Sequence, residues 1–218
     1  MQKSIFTIIA APILANLYKY IFLYVLCFPI KFFSKNEEIY TMWKGSVISL
    51  QIASGEGQPL THTDQAHAVP GRGIEGDRYY LGTGHFSKMG KASYEITLIE
   101  SEALEALKRD YGCELTPLTA RRNIVTVGVP LNHLVWKAFK VGEVTLLGRR
   151  LCEPCFHLVQ LTKPDALSGL LHRGGLRAQI LTEGIIRPGD PIQVAEDQSI
   201  ALAYKAEQAA KEALEPAI

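Results

Sequence analysis

Short strand-like segments, separated by turns rich in glycine and proline, dominate the sequence between residues 45 and 194. Their β-branched and aliphatic residues are typical of strands of about four to eight residues. The segments are not regularly interleaved with helices, which argues against a doubly wound α/β fold. The pattern predicts a mainly β protein, either a β-barrel or a mixed sheet with a few peripheral helices. The predicted strands lie at 45–53, 94–100 and 122–129, in a hairpin at 139–152, and as two strands joined by an RPGD turn at 176–194.

Two segments have the pattern of helices. Residues 100–112 carry acidic residues in the first turn, Leu104 and Leu107 on one face, and Gly112 as a stop signal. Residues 197–215 are rich in alanine, which has the highest helix propensity. Together with the strands, they predict one domain over residues 42–196 and a C-terminal helix within residues 197–218.

The N-terminal segment is a separate question. Residues 4–33 are almost wholly apolar, but Lys19 interrupts the run and Pro12 and Pro29 break it. A membrane-spanning helix needs about 20 consecutive apolar residues, and a lysine at the bilayer centre costs about 3 kcal/mol. Residues 1–41 are therefore a membrane anchor, a cleaved signal peptide, or sequence upstream of a true start at Met42. We expect a cytoplasmic protein, attached to a membrane only if residues 4–33 are retained as an anchor.

Charge and cysteine content exclude two broad classes of protein. The formal net charge is +1, so the composition does not indicate a nucleic-acid partner. Four cysteines in 218 residues are too few for a secreted disulfide scaffold, which favours a reducing compartment. Only Cys152 and Cys155 are close in sequence, in the stretch LCEPCFHL.

This cysteine pair permits several interpretations. A structural zinc site needs four ligands, and His157 and His172 do not have the spacing of a common zinc finger. Covalent haem attachment requires a histidine directly after the second cysteine, where Phe156 stands. A dithiol redox pair fits a helix that begins near the second cysteine, but the sequence shows no βαβ unit of the thioredoxin type.

A further interpretation is a single working thiolate. Guanidinium groups bind phosphate and stabilise a thiolate, and arginines are dense in the segments that flank the pair. Such surroundings suit a soft metal held on a phosphorylated organic ligand. The alternative is that these arginines are solvated strand ends and both cysteines are small core residues. The polar residues concerned are Arg121, Arg122, Asn123, Arg149, Arg150, His172, Arg173 and Arg177.

Six motifs, in this order, resemble those of one family. They are GRGIEGDRYY, RRNIVTVGVPLNHL, FKVGEVTLLG, LCEPCFHL, HRGGLRAQIL and IRPGDPIQV. Residues from about 42 to 194 resemble the MOSC domain, the molybdenum cofactor sulfurase C-terminal domain, and are most similar to its small stand-alone bacterial members. The resemblance implies a MOSC-type β-barrel or mixed sheet with a shallow basic site for the molybdenum cofactor.

The resemblance also implies roles for residues. Cys155 matches the position that ligates molybdenum or carries a persulfide, so it is the expected catalytic and metal-binding residue. Arg121, Arg122 and Asn123 are expected to bind the phosphate or pterin of the cofactor, with Arg173 and Arg177 as further candidates, and Asp77 and Arg78 are expected near the site. Relatives reduce N-hydroxylated compounds, including base analogues that they detoxify, or accept sulfur.

The expected function follows from these roles. It is that of a molybdenum-dependent oxidoreductase that reduces small N-hydroxylated substrates with electrons from a separate donor protein. The glycines of GRGIEGD have G-x-G-x-x-G spacing, but they do not lie between a clear strand and a helix, as a nucleotide-binding motif requires. The alternatives are a non-enzymatic sulfur carrier that receives a persulfide from a sulfur donor, a cofactor-delivery module, and a dithiol redox protein. Pyridoxal phosphate is not expected to bind, because residues 1–41 are too short for a desulfurase domain.

Two features differ from the family pattern. We expect no additional N-terminal β-barrel domain of the kind found in the amidoxime-reducing relatives. Trp136 stands in NHLVWKAF where a small residue, often glycine, is expected, so its indole either alters the pocket or packs outward.

Overall fold

The computed structural model describes residues 43–87 and 94–214, with side chains to residue 207. The chain divides into two units, Met1–Thr41 and Met42–Ile218, and the described residues belong to the second. The predicted anchor or signal at residues 4–33 lies outside the described residues. Within 43–87 and 94–214, no helix is both long and apolar enough to cross a membrane.

The described part of the chain is mainly β, which confirms the predicted fold class. Its strands are β1 (Gly45–Ile52), β2 (Thr61–Thr63), β3 (Ala66–Val69), β4 (Gly73–Ile74), β5 (Ile96–Glu100), β6 (Ile124–Val127), β7 (Ala138–Val141), β8 (Val144–Leu151), β9 (Leu176–Ile180), β10 (Gly184–Ile186) and β11 (Pro191–Val194). Its helices are α1 (Ser101–Tyr111), the 3-10 helix Leu131–Leu134, α2 (Phe156–Leu161), α3 (Asp165–Gly169) and α4 (Ser199–Leu214).

Seven strands close into a barrel in the order β1-β11-β7-β8-β9-β5-β6, because β6 and β11 both pair with β1. Every neighbouring pair is antiparallel except β5 and β6, which are parallel and are connected through α1. The strand β2 pairs with the last residues of β1, and β10, β3 and β4 form a small second sheet. Closure leaves the barrel without free edges that another chain could extend.

One sequence prediction in this region was wrong in detail. The segment 176–194 was expected to form two strands, but it forms three. The first expected strand ends at Ile180, and the residues from Gly184 to Ile186 leave the barrel to pair with β3 in the second sheet. The sequence does not indicate this break between Ile180 and Gly184, because aliphatic residues both precede and follow it in LRAQILTEGII.

The core consists of the barrel interior and two layers outside it. Phe139, Leu50 and Leu146 fill the interior together with other aliphatic side chains. Helix α1 covers the outer face of β5 and β6, where Ile99 packs with Leu107. Strand β5 is buried on both faces, so its residues Ile96 to Ile99 are all buried instead of alternating between buried and exposed. Helix α4 covers a smaller outer patch.

A buried polar network joins the barrel to the glycine-rich segment at residues 69–86. The Asp77 carboxylate is fully buried; its Oδ1 accepts hydrogen bonds from the Ala53 backbone N–H (3.1 Å), Arg78 Nη1 (3.1 Å) and Asn123 Nδ2 (3.2 Å). The Asn123 Oδ1 in turn accepts from the Thr97 hydroxyl at 2.8 Å and from the Thr97 backbone N–H at 3.2 Å. The network therefore fixes residues of β5, the start of β6, the end of β1 and the glycine-rich segment relative to one another.

We expect Asp77→Ala to lower the free energy of unfolding by about 3–5 kcal/mol. The reason is that the substitution leaves the buried Arg78 charge and the Asn123 amide without their acceptor. Denaturant titration of the full chain, followed by circular dichroism, measures the change. The exposed carboxylate of Asp64 provides the matched control Asp64→Ala, for which a change below about 0.5 kcal/mol is expected. Equal stabilities of the two variants would contradict the importance of the network.

His67 connects the small sheet to its surroundings. Its Nδ1 contacts Glu75 Oε2 at 2.9 Å, and its Nε2 contacts Glu183 Oε1 at 2.8 Å. The hydrogen bonds to Glu75 and Glu183 raise the pKa of His67 above its usual value. Both ring nitrogens donate only when the imidazole is protonated.

The raised pKa of His67 predicts a pH-dependent stability. The stabilisation is fully present below the unfolded-state pKa of about 6.5 and is lost as the pH rises through the higher folded-state value. We therefore expect the difference in Tm between wild type and His67→Gln to be largest near pH 6 and to shrink towards pH 9. Thermal unfolding at several pH values measures it, with His62→Gln as the exposed control on β2. A difference that grows with pH would contradict the assignment.

Candidate functional site

A cleft of about 550 Å³, open to solvent, lies where β8 ends and α2 begins. Its walls also include part of the segment after β1 and part of the glycine-rich segment. Both cysteines of the pair line it, as do four arginines: Arg78, Arg121, Arg122 and Arg177. The cleft therefore combines thiol groups with a concentration of positive charge.

The two cysteines of the pair have different environments. Cys152 is only 2% exposed, and its backbone is fixed on both sides: its N–H donates to the Gly175 carbonyl at 2.7 Å, and its carbonyl accepts from Arg122 Nη2 at 3.1 Å. Cys155 is half-buried and immediately precedes α2. Both are free thiols. Cys155 is thus the more accessible of the two.

Arg122 fixes the backbone beneath the cleft. Its Nε donates to the Gly174 carbonyl at 2.9 Å, its Nη1 to the Ala120 carbonyl at 3.3 Å and its Nη2 to the Cys152 carbonyl. Two of these acceptors lie close together because residue 174 is glycine: a Cβ there would lie 2.4 Å from the Cys152 carbonyl oxygen. Three of the five guanidinium N–H groups of Arg122 are therefore already bonded within the protein.

Arg121 differs from its neighbour. It has φ +62°, in the left-handed region, and its guanidinium lines the cleft and donates to the Gln58 carbonyl. Burial, and then repulsion from Arg78, lower the pKa of Arg121. Loss of hydration is therefore the main cost of the Arg121 charge, with Arg78 adding to it and Asp77 opposing it.

Arg177 and an aromatic group form another wall. The Arg177 guanidinium carbon lies 4.6 Å from the ring centroid of Tyr94 and 5.4 Å from that of Phe86. The Phe86 and Tyr94 rings are nearly parallel, with centroids 5.3 Å apart, and Tyr79 stacks on the other side of Tyr94 at 6.2 Å. Flat π-faces and a guanidinium plane thus lie side by side at the cleft.

Two of the predicted cofactor-binding residues lie elsewhere. Asn123 is 1% exposed and belongs to the buried network with Asp77 and Thr97. Arg173 donates to the Gly169 carbonyl at 2.6 Å and contacts Asp110 at 3.4 Å, and it does not line the cleft. The structure brings together Cys155, Arg121, Arg122 and Arg177, while Arg78 also enters the cleft as the sequence suggested.

The sequence analysis missed a histidine pair at the cleft. His85 and His157 stack with their ring centroids 4.0 Å apart and an interplanar angle of 8°. His85 Nδ1 also contacts Glu56 Oε1 at 2.5 Å. Burial and the neighbouring His85 lower the pKa of His157. His85 ends the GTGH stretch of the glycine-rich segment, but only the fold brings it next to His157.

Trp136 packs away from the cleft. It has φ +59°, which explains why glycine is the expected residue at this position. Its backbone N–H donates to the Gly148 carbonyl at 2.8 Å, and its indole lies 4.8 Å from the Arg149 guanidinium, which also contacts the Tyr204 ring of α4. Trp136 is absent from the cleft lining. Of the two interpretations of this residue, outward packing is the one observed.

Comparison with solved structures supports the fold. The structure is similar to the crystal structure of the YuaD protein from Bacillus subtilis, with a TM-score of 0.59 and 18% identity over 70% of this chain and 98% of that one. It is also similar to YiiM from Geobacillus stearothermophilus, with a TM-score of 0.51 and 17% identity over 75% of this chain and 85% of that one. No curated protein matches. At these identities the likeness shows the fold alone.

A family model gives the assignment. The MOSC domain model matches residues 85–193, which is half of the 218-residue chain. The matched region begins at His85 of the cleft, includes both cysteines and ends in β11, so the chain belongs to the MOSC-domain family.

Proposed function

We propose that the cleft binds the molybdenum cofactor through Cys155 and that the protein reduces small N-hydroxylated compounds with electrons from a separate donor protein. The observation that carries the proposal is the single accessible thiol of Cys155 in a cleft lined by four arginines. A thiolate is the soft ligand that this chemistry needs, and arginines suit the phosphate of the cofactor.

The residues present fit the cofactor chemically. Arg78, Arg121 and Arg177 line the cleft and carry guanidinium N–H groups suited to an anion. The lowered pKa of Arg121 reflects mainly its burial, so a phosphate bound beside it would stabilise its charge. Phe86 and Tyr79 line the cleft and offer aromatic rings against which a flat pterin can pack.

Arg122 and Asn123 have a supporting role in this proposal. Arg122 holds the backbone carbonyls on both sides of the cysteine loop, and Asn123 fixes Asp77 and, through it, Arg78. They position the groups that contact the cofactor instead of contacting it themselves. Arg173 forms an ion pair with Asp110 and does not line the cleft.

When bound, the cofactor supplies a metal centre that accepts the oxygen of an N–O bond. Reducing an N-hydroxyl group to an amine consumes two electrons and two protons and releases one water. In this proposal the chain holds the cofactor through Cys155 Sγ and neutralises its phosphate with arginines. The openness of the cleft allows a small substrate and a donor protein to approach.

A second candidate is a sulfur carrier that holds a persulfide on Cys155. The half-exposed position of Cys155 at the start of α2 favours it, because a donor enzyme can reach a thiol there. A dithiol redox protein needs both thiols to react, and the burial of Cys152 makes that candidate the weakest of the three.

The first test is the molybdenum content of the full chain, expressed in a host that makes the cofactor. We expect near-stoichiometric molybdenum in wild type, its loss in Cys155→Ser, and its retention in Cys152→Ser, because only Cys155 offers an accessible ligand. Elemental analysis measures the metal, and thermal unfolding shows that both variants are folded.

Other outcomes would identify the alternatives. A wild type without molybdenum, but with a persulfide on Cys155 by mass spectrometry, would support the sulfur carrier. Equal loss of function in the two serine variants would indicate a dithiol mechanism.

The arginines provide a second test. A charge-assisted hydrogen bond contributes about 1.5–3 kcal/mol, so Arg121→Gln and Arg177→Gln should each weaken retention of the cofactor by about tenfold or more. Molybdenum remaining after serial dilution and filtration measures the effect. Arg173→Gln is the matched control, because its side chain lies on Asp110 outside the cleft. A similar loss in all three variants would contradict the assignment of the cleft as the cofactor site.

A further inference from the structure

Three side chains at the cleft converge on one point. Glu56, His85 and His157 each offer a ligand atom, and these atoms all lie within 4.8 Å of one another. Glu56 belongs to the segment after β1, His85 to the glycine-rich segment and His157 to α2. In the described part of the chain, no other group of three or more histidine, cysteine and acidic side chains converges in this way.

The donor set has a known chemical preference. Two imidazoles and one carboxylate form the ligand set of zinc sites that keep a coordination position open, and of non-haem iron sites of the two-histidine, one-carboxylate type. The zinc interpretation of the sequence placed the ion on the cysteine pair with His157 and His172. His172 is instead exposed and contacts Glu153 at 3.0 Å.

The geometry requires ring rotation as well as small shifts. An imidazole nitrogen binds a metal in the plane of its ring, so the nearly parallel His85 and His157 rings must turn relative to each other to share one ion. Metal–nitrogen bonds of about 2.0–2.1 Å allow two donors on one ion to be at most about 4.2 Å apart. Ligand atoms that lie up to 4.8 Å apart must therefore move closer together, and the 2.5 Å distance between Glu56 Oε1 and His85 Nδ1 must lengthen. Both movements are feasible, because the side chains of His85 and Glu56 are 42% and 52% exposed.

The charges around the cluster indicate which ligand matters most. Arg78 and Arg121 lie close enough to His157 to act on its charge, and both oppose a further cation there. Glu56 is the carboxylate that offsets them. The site therefore depends on the negative charge of Glu56 as well as on its oxygen atoms.

We propose that Glu56, His85 and His157 form a binding site for one divalent transition-metal ion at the mouth of the cleft, separate from Cys155. Zn²⁺ is the ion that best matches the donor set. The ion keeps an open coordination position, which takes water or an oxygen atom of a small molecule in the cleft. This site does not depend on the molybdenum proposal.

Titration of the full chain with Zn²⁺ by calorimetry tests the proposal, with Co²⁺ as a spectroscopic probe. We expect one equivalent of Zn²⁺ per chain, and visible Co²⁺ bands without a thiolate charge-transfer band. His85→Ala and Glu56→Gln should each weaken binding at least tenfold. The first variant removes a ligand, and the second keeps the shape of the side chain and removes its charge.

Two matched controls make the result specific. His67→Ala removes a histidine that also pairs with carboxylates but is outside the cluster, and it should leave Zn²⁺ affinity unchanged. Cys155→Ser should also retain Zn²⁺ binding while it loses molybdenum, so that the two proposals can fail separately. Unchanged affinity in both His85→Ala and Glu56→Gln would overturn the site. Loss of Zn²⁺ in Cys155→Ser would overturn its separation from the thiol.

Discussion

The buried Asp77 carboxylate is the interaction on which the cleft depends. It accepts hydrogen bonds from Ala53 just after β1, from Asn123 just before β6 and from its own glycine-rich segment, and it is fully buried. An unpaired carboxylate in such a place would cost several kcal/mol. Pairing with Arg78 and Asn123 removes that cost only when the barrel and the glycine-rich segment are both in their folded positions. Folding of the barrel therefore brings Arg78 to the cleft.

Arg122 has the corresponding role for the cysteines. Its guanidinium joins the carbonyls of Ala120, Cys152 and Gly174, three points that are distant in sequence. With the Cys152 backbone held in this way, the chain continues into α2 with Cys155 at its start. The burial of one thiol and the accessibility of the other follow from this arrangement. An asymmetric pair of this kind suits a single working thiol better than a dithiol.

Sequence reasoning found the fold class and singled out the cysteine pair that lines the cleft, because hydrophobic patterns and short motifs are local signals. It could not assign different roles to Arg121 and Arg122. Their guanidinium groups have different partners, and the left-handed backbone at Arg121 is not visible in the sequence. It placed Arg173 in the site because nothing local showed its contact with Asp110. It missed the His85–His157 stack, since the two residues meet only through the tertiary fold.

The charge of the cleft opposes the stability of the fold. Burial and repulsion from Arg78 lower the pKa of Arg121, so its protonated form has a higher free energy in the folded protein than in the unfolded chain. A protein selected for stability alone would have replaced such a residue with a neutral one. Asp77 compensates Arg78, and Arg122 is bonded to backbone carbonyls. Asp77 also favours the charge of Arg121, so the cost of that charge comes mainly from its burial, and an anion bound beside it in the cleft would offset that cost.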